Sequence, residues 1–239
     1  MDKSKNLHGH LFALTANVMW GLMSPIGKSA LQEFSAISVT TFRMVGAAAA
    51  FWLLSIFCKQ EHVDHRDMLK IFFASLFALV FNQGVFIFGL SMTSPIDASI
   101  VTTTLPIVTM IVAAIYLKEP VTNKKVLGIF VGAMGALILI VSSQAGNNGN
   151  GSLIGDLLCL VAQISFSIYL TVFKGLSQRY SAVTINKWMF IYASICYIPF
   201  SYYDISTIQW ASISTVAILQ VLYVVLGGSF LAYLCIMTA

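Results

Sequence analysis

Apolar stretches close to twenty residues long, separated by short polar breaks, set the pattern of this chain. Eight of them run roughly over residues 10–30, 36–57, 69–91, 97–117, 125–143, 154–174, 184–203 and 213–237, here called segments 1 to 8. A membrane-spanning helix needs about 20 mainly apolar residues. Lipid offers no partner for backbone N–H and C=O groups, so such stretches must be helical. The in–out alternation of a membrane barrel strand is absent. The pattern predicts an all-α polytopic membrane protein with eight transmembrane helices.

The chain also repeats itself. Gly9–Ser55, slid by 146 positions (155 − 9), lies without a gap on Gly155–Ser201. Gly9/Gly155, Lys28/Lys174, Gln32/Gln178, Ser35/Ser181 and Ala47/Ala193 are among the identical pairs, and Asn17 falls on Gln163. The expected domains are a first repeat at 9–143 (helices 1–5), a loop at 144–152 and a second repeat at 153–239 (helices 6–8).

Charge gives the repeat a direction. One set of segment ends carries Lys3 and Lys5; Lys59, Arg66 and Lys70; Lys118, Lys124 and Lys125; and Lys174, Arg179 and Lys187. The other set carries only Lys28, with Arg43 inside segment 2. Positive charge favours the cytoplasmic side, which puts the N-terminus there. Five segments separate the two copies, an odd number, so the repeat is inverted, an architecture of many secondary transporters. Met92-Thr93-Ser94 at the end of segment 3 resembles Met237-Thr238-Ala239. By repeat logic the second copy lacks its last two helices, so eight of an expected ten are present.

Composition agrees. Of 239 residues, 58% are hydrophobic and 9% charged, against about 25% charged in soluble domains, so the surface faces lipid. The net charge of +4 is spread over short loops and forms no nucleic-acid patch. Cys58, Cys159, Cys196 and Cys235 are scattered without metal-ligand spacing and read as small hydrophobes. The pairs His8/His10 and His62/His65 sit beside loop charges and read as exposed loop histidines, with a weak metal site as the alternative. No cofactor, no metal and no nucleophile–base pair is expected, so an enzyme is disfavoured. The N-terminal apolar run is too long for a cleaved signal and reads as the first span. Gly146–Gly151 has neither a preceding strand nor a following Lys-Ser/Thr and reads as a linker.

Several local passages look alike to a known family. Asn17-x-x-Trp20-Gly21 with Lys28, Arg43, Leu105-Pro106, Tyr116 to Thr122, Leu127-Gly128, Gly132-Ala133 and Gly155-Asp156-Leu157-Leu158 follow one another in its order and spacing. The chain resembles the EamA family of the drug/metabolite transporter superfamily across nearly all of 9–239. The resemblance implies ten helices in a five-plus-five inverted repeat, alternating access, and gradient-linked movement of amino acid-like or drug-like solutes, commonly export, across the inner membrane. The chain departs from the family at Lys118, where glycine is common, at Pro120, where arginine is common, and at Phe166-Ser167, which replaces Trp-Gly. A truncated, non-transporting membrane protein or partner subunit is the alternative expectation.

Polar side chains inside apolar segments are costly and therefore candidates for a substrate pathway. Asn17, Gly21, Ser24 and Lys28 share one helix face, and Gln163, Ser167, Thr171 and Lys174 form the counterpart. Asn17 and Gln163 either line the pathway or serve as interhelical hydrogen-bonding glue. Arg43 either snorkels to the interface or meets a substrate carboxylate or Asp97. Asn82 and Gln83 point about 100° apart, so at most one lines a pathway comfortably. Thr103, between Thr102 and Thr104, either contacts ligand or bonds its own helix beside Pro106. Trp20 and Tyr169 either wall a pocket or pack in the core. The Gly128, Gly132, Ala136 stripe is scaffold or a homodimer face. The expected partners are a small-molecule substrate and the lipid bilayer, with no nucleic acid.

Overall fold

A computed structural model describes residues 3–118 and 152–238, with isolated helical positions between 127 and 138. Glu119 to Thr122, Ala133, Ala136 and residues 144–151 lie outside the described residues, so the expectations placed on them are not addressed. Every regular element described is helical. Five helices are long and apolar enough to cross a membrane: Ala36–Ile56, His65–Met92, Pro95–Tyr116, Leu153–Val172 and Thr215–Thr238. They correspond to segments 2, 3, 4, 6 and 8. The all-α polytopic membrane fold holds, while the expected number of eight is not established. Segment 5 falls mostly outside the described residues. Segment 7 is a 25-residue helix, Ala182–Ser206, whose apolar character is diluted by Asn186, Lys187 and Asp204. Segment 1 is divided into Lys3–Gly21 and Met23–Ala30.

The interruptions have local causes. Pro25 has no N–H to give the Gly21 carbonyl, and segment 1 breaks at Leu22, one turn before it. Pro106 likewise cannot bond the Thr102 carbonyl, and segment 4 divides into Pro95–Thr102 and Leu105–Tyr116. Around that break the hydroxyls of Thr102, Thr103 and Thr104 donate to the carbonyls of Ser99, Ile100 and Val101 at 2.6, 2.6 and 2.7 Å. Segments 3 and 8 each contain a π-helical stretch, Leu76–Gly84 and Leu226–Leu231. Aligning Met92 with Met237 (237 − 92 = 145) places Leu226–Leu231 on 81–86, overlapping the first stretch. The matched serines Ser35 and Ser181 also do one job. Each is extended, at φ/ψ of −67/154° and −64/153°, and each accepts from the N–H three residues on, capping the helix behind it.

The chain forms two compact units, Met1–Ser75 with Leu176–Ala239, and Leu76–Gly175. In the first unit, segments 2 and 7 pack through aromatic contacts. Phe51 stacks on Phe190 at 5.5 Å and Trp52 meets Trp188 edge-on at 5.7 Å. The Lys187 ammonium lies 5.2 Å over the Trp52 ring. Segments 1 and 8 join through polar bonds: Tyr223 Oη donates to Met19 O at 2.9 Å and Gln220 Nε2 to Ser29 Oγ at 2.8 Å. In the second unit, segment 6 packs against segments 3 and 4. Its crossing with segment 3 is backbone to backbone: a Cβ on Gly89 would lie 2.7 Å from Gly155 O, and one on Gly155 2.8 Å from Gly89 O. Only glycine admits that approach.

Candidate functional site

In the first unit, polar chemistry gathers where the π-helix of segment 8 meets segments 1 and 2. Arg43 is 3% exposed, two turns into a helix whose later residues are all apolar except Ser55. A central arginine costs about 2.5–3.5 kcal/mol on insertion scales, so it must find partners. Its Nε donates to Ser229 Oγ at 2.6 Å and its Nη2 to Gly228 O at 3.3 Å. Hydrogen bonds to a charged group contribute about 1.5–3 kcal/mol each and offset that cost. The remaining nitrogen, Nη1, is buried with no acceptor among the described residues.

Gly228 O also accepts from Trp20 Nε1 at 3.1 Å, so one carbonyl serves two side chains from different helices. A π-helical turn displaces carbonyls from the ordinary ladder. The absence of a side chain at Gly228 leaves room for the neighbours: a Cβ there would meet only the thioether end of Met23, at 2.7 Å. Ser229 Oγ in turn donates to Val224 O at 3.0 Å. Tyr233 is buried beside them, edge-on to Trp20 at 5.9 Å and to Phe190 at 5.6 Å. Ser24 is also buried in this unit. Asn17 is exposed, and its Nδ2 donates to Ala13 O of its own helix at 2.8 Å.

In the second unit, Asn82 Nδ2 crosses from segment 3 to Ala162 O at 2.9 Å. Gln83, one residue on, is 2% exposed, and neither its Oε1 nor its Nε2 has a partner among the described residues. The two carboxamides thus part ways, as adjacent positions on a helix must. Gln163 is buried on segment 6. Ser167 Oγ donates to Gln163 O at 2.8 Å and pairs with Thr109 Oγ1 at 3.0 Å. Tyr169 is buried in a stack with Phe166 and Phe173, at 5.7 and 6.5 Å. Thr103 is exposed and bonds within its own helix.

The structure therefore brings Arg43 and Trp20 together on one carbonyl, and draws Gln163, Ser167 and Thr109 into one chain of contacts. Sequence reasoning missed Gly228, Ser229 and Tyr233. The Gly227-Gly228-Ser229 run inside an apolar segment was the available signal. It also missed Asp156, 1% exposed, whose Oδ1 accepts from Thr93 Oγ1 at 2.6 Å while Oδ2 has no partner among the described residues. Among the described residues no group of three His, Cys, Asp or Glu gathers that could hold a metal ion.

The sequence matches the model of the EamA-like transporter family over residues 7–141 and 153–239. The chain belongs to the EamA-like transporter family. It is 27% identical to an uncharacterized transporter of Archaeoglobus fulgidus over 80% of this chain and 66% of that protein. It is 20% identical to the uncharacterized transporter YetK of Bacillus subtilis over 96% of this chain and 70% of that protein. With the uncharacterized transporter YyaM of the same organism it shares 27% identity over 69% of this chain and 55% of that protein. The chain thus spans about two thirds of the first of these relatives, and about half of the last. A solved structure titled "Crystal structure of protein" shares its fold at a TM-score of 0.68 and 14% identity, over 96% of this chain and 78% of that chain. In the backbone, Lys118 sits at φ +52°, the left-handed region glycine favours.

Proposed function

We propose that this EamA-like chain is a secondary transporter that moves a small amino acid-like or drug-like solute across the inner membrane, in the direction of export. Two inverted repeats, 9–143 and 153–239, would rock about a central site in alternating access, with the N-terminus in the cytoplasm. The observation that carries the reading is polar chemistry buried in the helices of a transporter family: Arg43 and Ser229 in one unit, Gln83 and Gln163 in the other. Such groups are expensive in apolar helices and are retained where a pathway uses them. Asn17, Trp20, Ser24, Asn82, Thr103, Ser167 and Tyr169 complete the proposed pathway. No cofactor enters the mechanism.

Counterflow in proteoliposomes containing the full chain tests this, with a panel of labelled amino acids and lipophilic cationic drugs. Accumulation above protein-free vesicles for at least one solute, lost on Gln163→Leu with folding retained, is the expected result. No accumulation across the panel overturns transport by this chain and favours a non-transporting partner subunit. An N-terminal tag reached by protease only from the cytoplasmic side supports the orientation; the opposite pattern reverses it.

A further inference from the structure

We infer that Arg43 forms a carboxylate-recognition subsite in the first unit, offering Nη1 to an anionic group of the carried solute beside the Trp20 and Tyr233 rings. This rests on the transport reading and names the chemistry the solute must carry.

The argument begins with charge. A guanidinium in a protein is a fixed cation. Arg43 is 3% exposed, and both of its partners, the Ser229 hydroxyl and the Gly228 carbonyl, are neutral. The ion pairs among the described residues are both made by Asp67, with Lys70 and Arg179. Glu33 and Glu61 are engaged at helix ends, with Ser214 and Ser181. Among the described residues the cation is therefore buried without a counter-charge, a costly state that an arriving anion would relieve. A purely structural staple between segments 2 and 8 accounts for Nε and Nη2. It leaves unexplained the two N–H donors of Nη1, buried and without an acceptor among the described residues.

Geometry narrows the anion. Nε and Nη2 are pinned, so the guanidinium plane is fixed before any ligand arrives. A fixed planar fork suits a carboxylate. Trp20 shares the Gly228 carbonyl with Arg43 and meets Tyr233 edge-on, which places apolar ring surface next to the cation for the remainder of the solute.

Thermal unfolding of the full chain in nanodiscs tests this with matched probes at equal concentration: leucine and leucinamide, benzoate and benzamide, succinate and succinamide. At least one carboxylate should raise Tm by a few degrees, as ligands selective for the folded state do, while its amide does not. Arg43→Gln should weaken the apparent affinity by about 30-fold or more, and Arg43→Lys should retain part of it. Equal stabilisation by carboxylate and amide, an undiminished response in Arg43→Gln, the same shift from chloride or phosphate, or no carboxylate response at all would each overturn the subsite. The wild-type comparison of acid with amide stands even where a variant fails to fold. Carboxylate binding without flux keeps the subsite and removes transport. Flux of a cationic drug that is indifferent to Arg43→Gln keeps transport and removes the subsite.

Discussion

Replacing Gly155 with alanine tests whether segments 3 and 6 cross with their backbones in contact. The new Cβ would sit 2.8 Å from Gly89 O, 2.9 Å from Thr93 Cβ and 3.0 Å from Thr93 N. A carbonyl oxygen and the Cβ of a β-branched residue cannot step aside alone, so a helix must move. Overpacking of this kind costs about 1–3 kcal/mol. The movement also pulls on Thr93, whose hydroxyl donates to the buried Asp156 carboxyl at 2.6 Å. Leaving that pair unmade adds about 1–3 kcal/mol. Alanine recovers about 1 kcal/mol of helix propensity. The net loss is about 3 kcal/mol, or about 6–12 °C in Tm for a chain of this length. Thermal unfolding of the purified protein in nanodiscs reads the shift. Gly175→Ala is the control, since nothing lies within 4 Å of a Cβ there. Equal stability of Gly155→Ala and Gly175→Ala would refute the crossing.

Three further substitutions probe other parts of the chain. Ser229→Ala leaves the buried Arg43 Nε without its acceptor and should destabilise by about 1.5–3 kcal/mol, read as a fall in Tm; an unchanged Tm would separate Arg43 from segment 8. Lys118→Gly relieves a left-handed backbone and should stabilise by about 1 kcal/mol, read as a rise in Tm; destabilisation would contradict the positive φ. Glu61 has a carboxyl held below the usual range by the Thr184 hydroxyl first and by the Ser181 N–H next. A lowered folded-state pKa contributes stability that is complete above the ordinary carboxylate range and is lost as pH falls through it towards the lowered value. The Tm difference between wild type and Glu61→Gln should therefore be largest near neutrality and shrink on acidification below about pH 5, and a pH-independent difference would contradict it.

Much of this molecule was readable from residue order, because in lipid the backbone must satisfy its own hydrogen bonds. The apolar run 36–57 became the helix Ala36–Ile56, and 97–117 became Pro95–Tyr116. Matched Ser35 and Ser181 became matched caps, since capping is a contact of a few residues and travels with a local motif. The Thr102–Thr104 hydroxyls bonded their own helix beside Pro106, for the same local reason. Segment 1 was less legible: its hydropathy ran on through Pro25, while its hydrogen-bond ladder did not.

Sequence by itself determined the solvent, the helical class and which buried polar groups would need partners. Arg43 is the clearest case, since its cost is set by its position in an apolar run. Tertiary structure alone decided who the partners were. Ser229 and Gly228 lie more than 180 residues from Arg43, and the Gly228 carbonyl that Arg43 shares with Trp20 is presented by a π-helical turn. No local pattern encodes a meeting of three helices, because it depends on helix crossing and on the register of a widened turn. The same limit separates Asn82, which found Ala162 O, from Gln83, which found no partner among the described residues: two like residues, one position apart, divided by which neighbour each faced.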